Sequence, residues 1–161
     1  MVWAGYTCTV YDVDGFLILH SGRPVPGTGE KVERNEGVGI VMDPSMVSCW
    51  KNGGEVWNPV SSRIVSARLK LSDQAAVAPT RGRSQPLFVS VVSVYAPTHR
   101  ASQEDKDQFF DDLQGVADGI STDELLLIVG DFNARVRCGE KGDSWDVVCG
   151  CHGVGCVNAN G

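Results

Sequence analysis

Apolar and polar residues alternate along much of the first hundred positions, a period of two that predicts strands rather than helices. Strands are expected over residues 6–11 and 16–20, joined by the turn-like Asp14-Gly15 pair. A loop punctuated by Pro24, Pro26, Gly27 and Gly29 follows. Residues 37–42 read as a strand with Val38, Ile40 and Met42 on one face, and Asn52-Gly53-Gly54 marks a turn between two short segments. Residues 62–71 alternate clearly, with Ile64, Ser66, Arg68 and Lys70 on one side and Val65, Ala67, Leu69 and Leu71 on the other. Residues 72–85 read as a loop or hairpin tip. Residues 87–95 are almost wholly apolar or β-branched, as a strand buried on both faces should be.

The period then changes to that of a helix. Phe109, Leu113, Val116, Ala117 and Ile120 fall on one face. Ser102 stands at the start with Asp105 three residues on, a capping arrangement in which the usual third partner is Glu or Gln. Asp105, Asp107, Asp111 and Asp112 lie mostly off the apolar face and read as a solvated surface. This is the one clear helix of the pattern. Residues 125–129 then form a second buried strand, ending at Gly130-Asp131-Phe132-Asn133. Beyond residue 134 the periodicity fades, and residues 134–161 read as a loosely ordered tail. Strand, helix and strand after a run of earlier strands predict an α/β fold with a mixed sheet, one layer of a larger sandwich.

The length, 161 residues, fits one domain. A hydrophobic share of 42% and a charged share of 21% exclude a disordered acidic tail. No apolar run approaches the roughly 20 residues of a membrane helix. The first residues lack the pattern of a secretory signal, so an intracellular chain with no membrane partner is expected. The net charge of −6 argues mildly against tight nucleic-acid binding by this chain alone, because phosphate neutralisation needs basic residues. It does not argue against a metal site, which needs carboxylates. Of six cysteines, four crowd near His152; Cys149, Cys151, His152 and Cys156 could be zinc ligands, but the paired C-x2-C spacing is lacking and free thiols are the expected state. Arg81 and Arg83 could touch a nucleic-acid backbone, and Trp3, Trp50, Trp57 and Trp145 could stack on bases; ordinary surface and packing roles suffice for both groups.

Two segments concentrate the chemistry. Val94-Tyr95-Ala96-Pro97-Thr98 ends one buried strand, and Gly130-Asp131-Phe132-Asn133-Ala134 ends the other. If the strands are neighbours, their polar ends meet in space. Asp131 offers a carboxylate to orient or activate a water or to hold a hard divalent cation. Asn133 points to the same side if strand geometry persists, and its amide can donate to a phosphate oxygen without adding negative charge. Tyr95 adds a phenolic donor, Arg63 emerges at the start of a strand, and Gly130 permits a sharp turn. A D-x-N pair also serves as a plain turn device, and Y-A-P as a plain strand end.

Together these segments resemble the endonuclease/exonuclease/phosphatase superfamily, most closely the apurinic-endonuclease-like domain of non-LTR retrotransposons. Residues 94–98 match the family's tyrosine motif, and residues 129–135 match its G-D-F-N motif. Further agreement lies at residues 20–24, 37–40, 62–64, 152–155 and 158–161, so the resemblance spans the chain. It implies a four-layered α/β sandwich and Mg2+-dependent hydrolysis of a phosphodiester, with Mn2+ as a possible substitute, on DNA in the nucleus. No small-molecule cofactor is implied. The roles carried over are water activation by Asp131, phosphate binding by Asn133 and assistance at the phosphate by Tyr95; from the residues themselves Asp131 is also the expected metal ligand, and Arg63 is expected to contact substrate or to be structural.

The departures from the family pattern are equally specific. The family's metal-binding glutamate follows a first strand that has no counterpart here; Glu30, Glu33 and Glu36 read as surface loop residues. None of His20, His99 and His152 follows an aspartate, so the family's closing Asp-His pair has no counterpart either. The resemblance therefore implies an incomplete four-layered sandwich over residues 1–161, lacking the first strand and the C-terminal segment, and inactive as such. A non-catalytic remnant acting as a binding or interaction segment, and a phosphatase of the same superfamily, are the alternatives.

Overall fold

The strands form two four-stranded sheets. The computed structural model describes residues 2–3, 6–22, 37–72, 86–135 and 158, with side chains from residue 10 onward. The first sheet has the order β1 (Val2–Trp3), β2 (Tyr6–Val13), β3 (Phe16–Gly22) and β4 (Gly37–Met42), antiparallel throughout. Asp14 and Gly15, with φ of 53° and 83°, turn β2 into β3 as the two-residue hairpin requires. The second sheet has the order β5 (Trp57–Ser61), β6 (Ile64–Ser72), β7 (Leu87–Tyr95) and β8 (Leu125–Asp131). Its first two pairings are antiparallel and β7–β8 is parallel, with helix α2 (Gln103–Asp118) as the crossover. This is an α/β fold.

The core forms in two parts because β6 and β7 are buried on both faces. On one side Ala67, Leu69 and Val89 meet Leu17, Leu19 and Met42 of the first sheet. On the other, Ile64, Val92 and Val94 meet Phe109 of α2, with Leu113, Val116 and Ile120 packed alongside. Ala117, expected on that apolar face, is half-buried. Ser102 caps α2 by accepting from the Asp105 N–H at 3.1 Å.

Two expectations need correction. A second helix, α1 (Pro44–Asn52), occupies the segment read only as flanking a turn. Asp43 caps it, accepting from the Met46 N–H at 2.8 Å, and Pro44 takes the first turn, where its missing N–H costs nothing. Met46, Val47 and Trp50 face the core, so α1 closes one end of the space between the sheets. The Asp-Pro start and the spacing of these three residues were the available signals; the following Asn-Gly-Gly obscured them. The second correction concerns β8, which is buried on one face only. Leu126 and Ile128 pack toward α2, while Leu125, Leu127 and Val129 are 58%, 48% and 41% exposed. Their face continues that of Val89 and Val91, but no described element lies over it.

The other end of the two sheets is tied by Ser21, whose hydroxyl donates to the Ser61 carbonyl at 2.6 Å. Both serines are buried. Residues 136–157, which hold most of the expected tail and the Cys/His cluster, lie outside the described residues, as do Glu30, Glu33, Glu36, Arg81 and Arg83.

Candidate functional site

The parallel register of β7 and β8 builds the site. It pairs Tyr95 with Asp131, and just past the ladder the Ala96 N–H donates to the Asp131 carbonyl at 2.8 Å. The chain can come this close because residue 130 is glycine. Its φ of 145° suits a residue without a side chain, and a Cβ there would overlap the Val94 carbonyl.

Asn133 reaches the site by a different route from the one its spacing suggests. The strand ends at Asp131, and Asn133 has φ of 48°, in the left-handed region. Its N–H donates to Asp131 Oδ1 at 2.8 Å, an Asx-type turn, and its Nδ2 donates to the Ala96 carbonyl at 2.8 Å. The amide is thus aimed by a turn and a cross-strand hydrogen bond, not by strand alternation. Asn158 closes the other side: its Nδ2 donates to the Asn133 carbonyl at 2.8 Å, and its Oδ1 accepts from the Arg135 N–H at 2.9 Å. Asn158 opens the segment 158–161 that agrees with the family pattern, but local spacing gives it no role, because its partners lie more than twenty residues away.

Arg63 joins from the β5–β6 turn. Its Nη1 donates to the Tyr95 carbonyl at 3.1 Å, and its own carbonyl accepts from the Tyr95 N–H at 2.9 Å. The guanidinium carbon lies 5.4 Å from the Tyr95 ring centroid, a cation–π distance. The Arg63 N–H donates to the Ser61 hydroxyl at 3.2 Å, which extends the cluster to the Ser21–Ser61 tie. All four expected residues therefore gather at one end of the second sheet: Tyr95, Asn133 and Arg63 half-buried, Asp131 exposed.

The chemistry of this arrangement is mixed in sign. A carboxylate stands beside a guanidinium, a phenol and a carboxamide, a set that offers donors to an anion and one acceptor to a water. Magnesium demands near-octahedral oxygen ligation and leans on one or two carboxylates together with substrate phosphates. Asp131 supplies the one carboxylate of these four residues, and among the described residues no three His, Cys, Asp or Glu side chains converge. The described donor set does not by itself form a resident Mg2+ site.

A crevice lies elsewhere. It holds about 250 Å³ between β5, β6 and the last turn of α2, beside Trp57, Val116, Ile120 and Glu124. At its floor Arg68 forms a forked ion pair with Glu124, with contacts of 2.6 and 2.9 Å to Oε1. Ser90 also donates to Glu124 at 3.2 Å. These hydrogen bonds from Arg68 and Ser90 hold the Glu124 carboxyl below its ordinary range, against the opposing effect of burial. Arg68 lies 3.5 Å over the Phe88 ring. The pair is satisfied internally and stands some five residues before Tyr95 along the sheet.

Comparison with known proteins gives partial similarity. The chain is 32% identical over 77 residues to craniofacial development protein 2 of Bos taurus, and 30% identical over 77 residues to that of Tragulus javanicus. Each match covers 48% of this chain, but only 12% and 13% of the respective relatives' length. No family model matches the chain. No solved structure matches it.

Proposed function

We propose that this chain carries the phosphate-handling end of a phosphodiester hydrolase of the endonuclease/exonuclease/phosphatase type, with DNA as substrate. The observation that carries the reading is the pairing of Tyr95 with Asp131 at the carboxyl ends of adjacent parallel strands, with Asn133 tied across to Ala96. Ligands gather at such strand ends in open α/β sheets, and here both chemistry-bearing motifs arrive there together. The names of the relatives state no chemistry, so the reading rests on the cluster and on the family resemblance of its two segments.

In this reading the phosphate lies against Arg63, Tyr95 and Asn133. The guanidinium offers a planar fork to phosphate oxygens, and the phenol and carboxamide add neutral donors. Asp131, exposed at the rim, accepts a proton from the attacking water or orients it. A bound Mg2+ would neutralise charge developing on the phosphate. Among the described residues the cluster offers one carboxylate, too few to hold the ion before substrate arrives, so the chain on its own is expected to bind a phosphodiester and turn it over little. Loss of members of a cooperating site commonly costs several orders of magnitude in rate.

The test is nicking of supercoiled plasmid with Mg2+, beside an Asp131→Ala control, together with a binding measurement on a dinucleoside phosphodiester. Binding without Asp131-dependent nicking is the expected result. Nicking that disappears in the control would support the hydrolase and overturn the low turnover expected of this chain. Absence of both binding and nicking would overturn the reading and favour a non-catalytic remnant.

A further inference from the structure

We infer that Asn158 is a positioning residue for the site, acting through Asn133; the functional half of this inference rests on the proposed phosphodiester reading. The side chain of Asn158 donates to the carbonyl of Asn133 and accepts from the N–H of Arg135. These are the two outward-facing groups a neighbouring strand would use, so one carboxamide replaces a stretch of ladder just where β8 has ended.

The local conformation makes such a brace necessary. Asn133 holds φ of 48°, which a non-glycine residue adopts at a cost. Hydrogen bonds that oppose relaxation include those from its N–H to Asp131, from its side chain to Ala96 and from Asn158 to its carbonyl. The first two anchor the residue to the ends of β8 and β7. The third comes from a distant part of the chain and fixes the peptide that follows. Removal of Asn158 leaves the Asn133 carbonyl and the Arg135 N–H without these partners and frees the turn to rotate toward negative φ. Rotation carries the Asn133 amide off Ala96 and away from the phosphate position.

Two variants of the full chain test this. Asn158→Ala removes both hydrogen bonds; Asn158→Asp keeps an acceptor for Arg135 but loses the donor to Asn133. The first readout is the side-chain NH2 signal of Asn133 by NMR and its protection from hydrogen exchange. Both variants are expected to lose that protection, while core amides such as those of Ile64 and Val92 keep theirs. The second readout is affinity for a dinucleoside phosphodiester, expected to fall about tenfold in Asn158→Ala, the loss of roughly one net hydrogen bond.

An Asn133 signal unchanged in both variants overturns the inference. If Asn158→Ala loses core protection as well, Asn158→Asp decides alone, because it retains the Arg135 bond. If the unaltered chain does not bind the phosphodiester, the functional reading falls, and the Asn133 signal still decides whether Asn158 positions it.

Discussion

Tyr95 and Asp131 are register partners in the parallel β7–β8 ladder, and the ladder's last bond runs from the Ala96 N–H to the Asp131 carbonyl. Backbone pairing brings the two residues together. The site geometry is therefore a property of the sheet, and changes that leave the backbone intact should alter chemistry without altering the fold.

Tyr95→Phe follows directly. The backbone of Tyr95 makes the bonds to Arg63, so loss of the hydroxyl should change unfolding free energy by less than about 0.5 kcal/mol. Phosphodiester affinity should fall several-fold. Arg63→Ala should cost more in both respects, and Arg63→Lys should not restore affinity, because an ammonium lacks the planar fork. Urea unfolding and a binding titration on the three variants separate these effects.

Gly130→Ala should be among the most damaging substitutions in the chain. The added Cβ meets the Val94 carbonyl at a backbone angle that L residues rarely adopt. A loss on the order of 3 kcal/mol or more is expected. Gly115→Ala provides the contrast: it lies within α2 with open space around it, and should raise stability by about 0.5–1 kcal/mol. Thermal unfolding of both variants checks the pair.

Asn133 separates backbone from side chain. Asn133→Gly keeps the left-handed turn accessible but removes the bond to Ala96; Asn133→Ala removes the bond and adds strain. The alanine variant should be less stable than the glycine variant by about 1 kcal/mol, with both impaired in phosphodiester binding. Equal stabilities, measured by denaturant unfolding, would contradict the strained turn.

Stability should depend on pH through Glu124. Its carboxyl is held below the ordinary value of 4.5 by Arg68 and Ser90. A depressed folded value means that the unfolded chain takes up the proton first as pH falls. The contribution is complete above about 4.5 and is lost as pH drops through the lower folded value. Glu124→Gln should flatten the stability profile in that acidic window and leave phosphodiester binding unchanged, since the pair lies away from Tyr95. Unfolding midpoints measured across that window check the sign.

Much of this was legible in the residues themselves. The limits of β4 follow from alternation, those of β7 from its continuous apolar and β-branched run, and α2 from its apolar face and its Ser102 cap. The gathering of Tyr95 and Asp131 follows from strand, helix and strand, because a crossover brings the second strand back beside the first in parallel. Helix α1 was obscured because its few core-facing residues sit between an Asp-Pro start and a glycine-rich stop, both of which also read as loop. The division into two sheets was not legible, because alternation fixes which face is apolar but not which sheet lies opposite. Nor was the brace at Asn158: a hydrogen bond across more than twenty residues leaves no periodic trace. The exposure of Leu125, Leu127 and Val129 has the same origin, since a strand's apolar residues do not specify what covers them.

The most direct measurement is an amide NMR titration of the full chain with a dinucleoside phosphodiester, with and without Mg2+. The expected result is a set of shifts confined to Arg63, Tyr95, Ala96 and Asn133, strengthened by Mg2+ and abolished by Arg63→Ala. Shifts centred on the crevice beside Trp57 and Ile120, or no shifts at all, would contradict a phosphate site at the ends of β7 and β8.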